Sequence, residues 1–69
     1  MFNGNKLNSC MEDKRMSNFD MIYILIRDKN IGTTEKTIQA YKDNICIPTD
    51  RIQENIASIL EVEVSDLHD

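Results

Sequence analysis

A short segment in the middle of the chain, residues 34–42, carries side chains that could bind the edges of DNA bases. The amide of Gln39 can pair with adenine through two hydrogen bonds, and Lys36 can donate to the acceptors of guanine. Glu35 can accept a hydrogen bond from the amino group of cytosine, and the methyl group of Ala40 can contact that of thymine. Such contacts require a helix whose polar side chains face outward and whose apolar side chains anchor it from behind.

The same segment has the features of such a helix. Thr33 or Thr34 can cap its start, because a threonine hydroxyl accepts a hydrogen bond from a free backbone N–H of the first turn. Ile38 and Tyr41 stand three residues apart and form its apolar face. We therefore predict a helix that runs to about Lys42, with Ile38 and Tyr41 in the core.

Two helices are predicted before this segment. Apolar residues at helical spacing indicate a first helix over about residues 5–14. Ser17 and Asp20 have the spacing of a capping box at the start of a second helix. The apolar run 21–26 could by itself be a strand, but the cap and the lack of a partner strand favour a helix. The polar residues 27–32 are expected to break it.

A further helix and a short turn are predicted after the segment. Asn44 can adopt the left-handed conformation that ends a helix. Residues 45–48 form a connector, because Pro48 disfavours helix before it. Thr49 is expected to cap the fourth helix, and Ser65 to cap a last short turn that holds Leu67.

Length and charge limit the class of protein. The 69 residues can form one domain with a small core, and we expect an all-α domain of five short helices packed over about residues 5–67. The net charge is −4, but residues 61–69 hold four acidic residues and no Lys or Arg, so the first 60 residues are neutral overall.

No apolar run is long enough to span a bilayer, and no secretion signal is evident. We expect a cytoplasmic protein.

No group of residues predicts catalysis or metal binding. Cys10, Cys46 and His68 lack the spacing of zinc ligands, and the two thiols are expected to be reduced. His68 has no neighbouring nucleophile, and acidic pairs such as Glu12–Asp13 are more simply solvated surface. A chain of this size also has little room for a pocket that excludes water. We expect no enzyme activity and no cofactor.

Four segments, in order, resemble the Cro/phage-repressor (XRE-type) family of helix-turn-helix DNA-binding proteins. Gly32–Tyr41 resembles the family's recognition-helix signature, and Pro48–Thr49 resembles the Pro-Ser before its fourth helix. Ile56–Leu67 looks like the end of that helix and the start of the fifth, and Lys6–Ser17 looks like the first helix leading into the second. The resemblance covers about residues 5–67 and implies a phage-repressor-like fold that binds double-stranded DNA.

The resemblance also implies which residues contact DNA. Asn18 falls where the family places a polar residue that hydrogen-bonds to the DNA backbone. Two copies would place their recognition helices in successive major grooves, about 34 Å apart. Such a homodimer would regulate transcription by occupying an operator, as a small phage or mobile-element repressor does. The recognition helix would supply the remaining contacts: Thr34, Glu35, Lys36, Thr37, Gln39, Ala40 and Lys42.

Two features differ from the family's usual pattern. Between Met21 and Thr34 the chain has about six additional residues, which could lengthen the second helix or form an extended loop. The residues after the third helix are apolar, Ile45–Cys46–Ile47, which suits a protein interface. The alternative function is therefore a protein-interaction module, such as an antirepressor, an antitoxin-like partner or an inhibitor. The predicted dimer or partner interface consists of Ile45, Ile47, Val64 and Leu67, with Val62 beside them.

Overall fold

Four α-helices and a final 3₁₀ helix make up the fold. The computed structural model describes all 69 residues. The elements are α1 (Gly4–Asp13), α2 (Asn18–Lys29), α3 (Glu35–Lys42), α4 (Asp50–Leu60) and a 3₁₀ helix (Val64–Leu67). The predicted all-α fold of short helices is confirmed, and the one β-type pairing is an isolated bridge between Phe2 and His68.

Each α-helix begins at a polar side chain that accepts hydrogen bonds from its first turn. Asn3 caps α1, Thr34 caps α3 and Thr49 caps α4. At α2, the Ser17 hydroxyl accepts from the N–H of Asp20 at 3.1 Å, and the Asp20 carboxylate accepts from the N–H of Ser17 at 3.0 Å. The predicted capping box is therefore confirmed, as is the cap by Thr34.

The capping box makes the stability of the fold depend on pH. Hydrogen bonds from the backbone and the side chain of Ser17 lower the pKa of Asp20 below its ordinary value of 3.8. A carboxyl group with a lowered folded-state pKa stabilises the fold above pH 3.8, and this contribution is lost as the pH falls through the folded-state pKa. Asp20→Asn should therefore lower the urea midpoint at neutral pH and have a smaller effect below pH 3 or so. An equal loss at both pH values would show that the charge of Asp20 contributes nothing.

The second helix continues beyond the predicted break at residues 27–32. Arg27–Lys29 form its last turn, and the helix ends at Asn30, whose φ of 56° is left-handed. The N–H of Ile31 then donates to the carbonyl of Leu25 at 2.9 Å, which closes the helix end. The polar residues remain helical because Arg27 and Asp28 are exposed to solvent. Residues 27–29 therefore belong to α2 rather than to a loop, and only residues 30–34 connect it to α3.

The core lies where the helices meet. α3 packs against α1 and α2, α2 also packs against α4, and the 3₁₀ helix packs against α1 and α4. Ile38 and Tyr41 are both buried, as predicted, so that the opposite face of α3 is left at the surface. The buried apolar residues form one cluster: Phe2, Leu7, Met11, Met21, Leu25, Ile31, Ile38, Tyr41, Ile56, Ala57, Leu60 and Leu67.

The start of α1 lies directly against the end of α3. The N–H of Gly4 donates to the side-chain oxygen of Asn44 at 2.7 Å, and Asn44 has the predicted left-handed conformation, with a φ of 60°. A β-carbon at Gly4 would overlap the carbonyl oxygens of Tyr41 and Lys42. The partly positive start of one helix thus lies beside the partly negative end of another, which is a favourable arrangement.

The two ends of the chain pack together and extend the core beyond the predicted boundary at residue 5. Phe2 is buried, and its ring lies edge-on to that of His68, with centroids 6.2 Å apart. The N–H of Asn3 donates to the carbonyl of Leu67 at 2.8 Å. Phe2 therefore belongs to the core because the last residues of the chain cover it.

Two predictions for the end of the chain are wrong. Ser65 does not cap the last turn, because the 3₁₀ helix begins at Val64, and the N–H of Glu63 donates to the Asp66 carboxylate at 2.9 Å. Leu67 is fully buried, so it cannot belong to an interface. Val64 also packs partly against the core, because residues three apart in a 3₁₀ helix lie on the same side.

Candidate nucleic-acid interface

The exposed face of α3 carries four of the eight predicted DNA contacts. Because Ile38 and Tyr41 anchor the helix from within, Lys36 and Gln39 are exposed, and Glu35 and Ala40 are half-buried. A shallow hollow of about 320 Å³ runs along this face. Its lining residues are Glu35, Lys36, Gln39, Ala40, Asp43 and Ile45.

Asn18 joins the start of α2 to this face. Its side-chain nitrogen donates to the Glu35 carboxylate at 2.6 Å and to the Gln39 carbonyl oxygen at 3.0 Å. The side-chain nitrogen of Gln39 in turn donates to the Asp43 carboxylate at 3.1 Å. The amide of Gln39 is therefore held at both ends, which orients it along the surface of α3.

Thr34 and Thr37 lie on a different flank of α3 from Lys36 and Gln39. The hydroxyl of Thr34 accepts from the N–H of Thr37 at 3.3 Å and lies 3.1 Å from the Thr37 hydroxyl. Both threonines line a second hollow, of about 310 Å³, between the α2–α3 connection and α4. Lys42, at the end of the helix, is half-buried and lines neither hollow. The predicted contacts are thus divided between two sides of the helix.

The charge of the α3 face is mixed. Glu35 and Asp43 supply two carboxylates there, and Lys36 supplies one ammonium group. The ion pairs of the protein lie elsewhere, one between Lys14 and Glu61 and one between Arg27 and its neighbour in sequence. Lys36 therefore has no ion-pair partner within the protein.

Asp43 is the residue on this face that the sequence prediction missed. It directly follows the last residue of α3, and its carboxylate accepts a hydrogen bond from Gln39. The two residues are four apart, a spacing that places side chains next to each other on a helix. That spacing was the signal from which the contact could have been predicted.

Ile45 and Ile47 are the members of the predicted interface that the structure leaves open. Their exposed fractions are 78% and 56%. Ile45 adjoins the hollow along α3, whereas Ile47 lines a separate hollow beside Met1 and Asp69 at the chain ends. The two isoleucines are thus both exposed but border different hollows, and only Ile45 lies beside the exposed face of α3.

The metal-binding groups, the cysteine thiols and the apolar character of the helices complete the description of the surface chemistry. No cluster of three or more His, Cys, Asp or Glu residues is arranged to hold a metal ion, and Cys10 and Cys46 are free thiols. Burial raises the pKa of the Cys10 thiol, and the charge of Asp13 adds to this effect. None of the helices combines the length and the apolar character needed to cross a bilayer.

No protein-family model, curated protein or solved structure matches the chain. What the protein binds is therefore to be inferred from the geometry of α2 and α3.

Proposed function

We propose that the protein is a sequence-specific DNA-binding regulator that places α3 in the major groove. The observation that supports this most strongly is the position of Asn18, which fixes the start of α2 against the exposed face of α3 through Glu35 and Gln39. In a helix-turn-helix protein the first of two such helices crosses the DNA backbone while the second faces the base edges. The direct contact between α2 and α3 gives them a fixed relative orientation.

Each residue of the α3 face has a role in this proposal. Gln39 would exchange its hydrogen bonds with Asn18 and Asp43 for two with adenine. Lys36 would pair with guanine, Glu35 with cytosine, and Ala40 would contact a thymine methyl group. Asn18, at the positive end of α2, approaches a phosphate. Contacts to the backbone would come from Thr34, Thr37 and Lys42.

The protein would bind as a homodimer on a two-fold operator and act by occupying it. Ile45 and Ile47 would form the contact between the two copies, because both are exposed and Ile45 adjoins the hollow along α3. The two copies of α3 would then enter grooves about 34 Å apart. Since Glu35 and Asp43 stand on the binding face, we expect modest affinity that falls as salt rises.

Replacing both Lys36 and Gln39 with Ala should reduce operator affinity while leaving thermal stability nearly unchanged. Each good base contact contributes about 1–3 kcal/mol, and both side chains are exposed. The measurement is a fluorescence anisotropy titration with the DNA upstream of the protein's own gene and with random DNA, at two salt concentrations. Arg51→Ala is the control, because it removes one exposed positive charge from α4, outside the hollow along α3.

Two results would contradict the proposal. If the doubly substituted protein binds the operator as tightly as the wild type, α3 is not the recognition helix. If the wild type binds neither DNA, even at low salt, the protein is not a DNA-binding regulator.

A second candidate function is the binding of another protein through the same fold. It is favoured by the Glu35 and Asp43 carboxylates, which repel DNA phosphates, and by the exposed Ile45 beside them. In that case the protein would be an antirepressor, an antitoxin-like partner or an inhibitor. Two results would together favour this function over the first. Affinity capture would recover a partner protein with the wild type but not with Ile45→Ser, and the wild type would not bind DNA.

A further inference from the structure

The hollow between the α2–α3 connection and α4 has no charged side chain on its walls, and its volume is about 310 Å³. Each of the other three hollows in the surface includes at least one charged residue. A charged molecule would lose its hydration in this hollow without gaining an ionic partner, so the hollow suits an uncharged one. We call this site the Tyr41 hollow. Its walls are Leu25, Ile31, Ile52 and Tyr41, together with residues 32–34 and Thr37.

The apolar walls of the Tyr41 hollow belong to the core of the protein. Leu25, Ile31 and Tyr41 are buried members of the core cluster, and Ile52 packs against this cluster from α4. A molecule in the hollow would therefore contact α2, α3 and α4 at once. The volume is at the lower end of the range for small-molecule sites, which is about 300–1,000 Å³. The site therefore suits a compact molecule with an apolar body.

Two hydroxyl groups of the Tyr41 hollow lack a hydrogen-bond partner within the protein. The Thr33 hydroxyl is buried and unpaired. Burial raises the pKa of Tyr41, and no hydrogen bond within the protein acts on it, so its hydroxyl stays neutral and can donate. The hydroxyls of Thr34 and Thr37, by contrast, lie 3.1 Å apart and pair with each other. Because buried polar groups in native proteins are usually paired, the two unpaired hydroxyls indicate a ligand that supplies the partner.

We propose that the Tyr41 hollow binds a small uncharged molecule with a compact apolar body and one hydroxyl or carbonyl group. The apolar body packs against Leu25, Ile31 and Ile52. The polar group accepts a hydrogen bond from the Tyr41 hydroxyl. The Thr33 hydroxyl pairs with the same group after a rotation about the Cα–Cβ bond of Thr33, which moves the hydroxyl to another staggered position. Each unpaired hydroxyl thereby gains a partner.

A molecule in the Tyr41 hollow would also act on α3. It would cover Thr34 and Thr37, to which the proposed function assigns contacts with the DNA backbone, so it would compete with DNA for these residues. This consequence rests on the proposed function, whereas the binding of the molecule itself does not. Because the molecule binds only the folded chain, it should also raise the temperature of unfolding.

An NMR titration of the full chain with cyclohexanol, in the absence of DNA, tests the site. Cyclohexanol has an apolar ring and one uncharged hydroxyl. We expect saturable shifts of the backbone N–H signals of residues 31–34, with a Kd on the order of 1–10 mM for a molecule of this size. Cyclohexylammonium and cyclohexanecarboxylate carry a charge on the same ring, so they should bind about tenfold more weakly or worse. The inference is overturned if cyclohexanol causes no saturable shifts at these residues, or if the charged molecules bind equally well.

A matched pair of tyrosine variants tests the proposed hydrogen bonds. Tyr41→Phe keeps the buried ring and removes its hydroxyl, so it should weaken cyclohexanol binding about threefold or more, as the loss of one hydrogen bond does. Tyr23→Phe removes the same atom from an exposed ring outside the hollow and should leave the binding unchanged. Thr33→Val should weaken the binding to a similar extent without lowering the urea midpoint, because the hydroxyl it removes is unpaired. Equal binding by the wild type, Tyr41→Phe and Thr33→Val would show that these hydroxyls do not hold the molecule.

Discussion

Replacing Gly4 with Ala is expected to destabilise the fold by about 3 kcal/mol, the upper end of the usual cost of overpacking. The added β-carbon would overlap the carbonyl oxygens of Tyr41 and Lys42. These are backbone atoms at the end of α3, so they cannot move aside as a flexible side chain would. Since a domain of this size has a net stability of only a few kcal/mol, much of the protein should unfold. Urea denaturation followed by circular dichroism measures the loss.

Gly32→Ala is the matched control for this prediction. Gly32 lies in the connection between α2 and α3, and a β-carbon there has nothing within 4 Å. Its φ is not positive, so Ala can adopt the same conformation. We expect no loss of stability, or a gain of up to about 1 kcal/mol from the reduced freedom of the unfolded chain. A similar loss at both glycines would show that the close approach of α1 and α3 is not the cause.

Replacing Ile38 with Ala is expected to cost about 2–5 kcal/mol of stability, as is usual for a fully buried aliphatic side chain. Ile38 has no exposed surface, and it anchors α3 from behind. The substitution leaves a cavity between α3 and its neighbours, so it should also remove any binding that depends on the position of α3. Thermal unfolding by circular dichroism measures the effect.

Ile45→Ala removes the same atoms from a side chain that is 78% exposed. It should change stability by no more than about 0.5 kcal/mol. If the two substitutions have equal effects, α3 is not anchored through Ile38, and the assignment of its outer face would have to be revised.

The boundaries of the helices were predictable where a single side chain determines them. Ser17, Thr34 and Thr49 each accept a hydrogen bond from the turn that follows, and this local interaction does not depend on the rest of the fold. Asn44 was predicted as a helix end for a similarly local reason, because asparagine tolerates the left-handed conformation. The inward position of Ile38 followed from helical spacing alone.

Features that depend on contacts between distant residues were not predictable. Leu67 appeared suited to an interface, but the packing of the 3₁₀ helix against α1 and α4 buries it. Gln53 is of a type usually found at the surface, yet it is buried. Its side-chain nitrogen donates to the carbonyl of Pro48 at 2.8 Å, and its oxygen lies 2.6 Å from the ring nitrogen of His68. Neither partner is identifiable before the chain is folded.

On the candidate DNA-binding face, too, local features were predictable from the sequence and contacts between helices were not. Helical spacing predicted that Lys36 and Gln39 would lie on the outer side of α3, and both are exposed there. The hydrogen bonds from Asn18 to Glu35 and Gln39 depend on how α2 lies against α3, which the spacing within each helix does not specify. The length of α2 was open for the same reason, because Arg27–Lys29 are compatible with a loop or with an exposed last turn.

The pairing of the chain ends makes the backbone almost a closed ring. The N–H of Asn3 bonds to the carbonyl of Leu67, and the rings of Phe2 and His68 touch, so the path of the chain returns to where it started. A short peptide that joined residue 69 to residue 1 would leave every helix in place and would remove conformations only from the unfolded chain. Cutting such a circle after Gly32, which is exposed although Ile31 before it is buried, should then give a permuted chain with the same packing. What this fold requires is the cyclic order of its helices rather than the point at which the circle is opened.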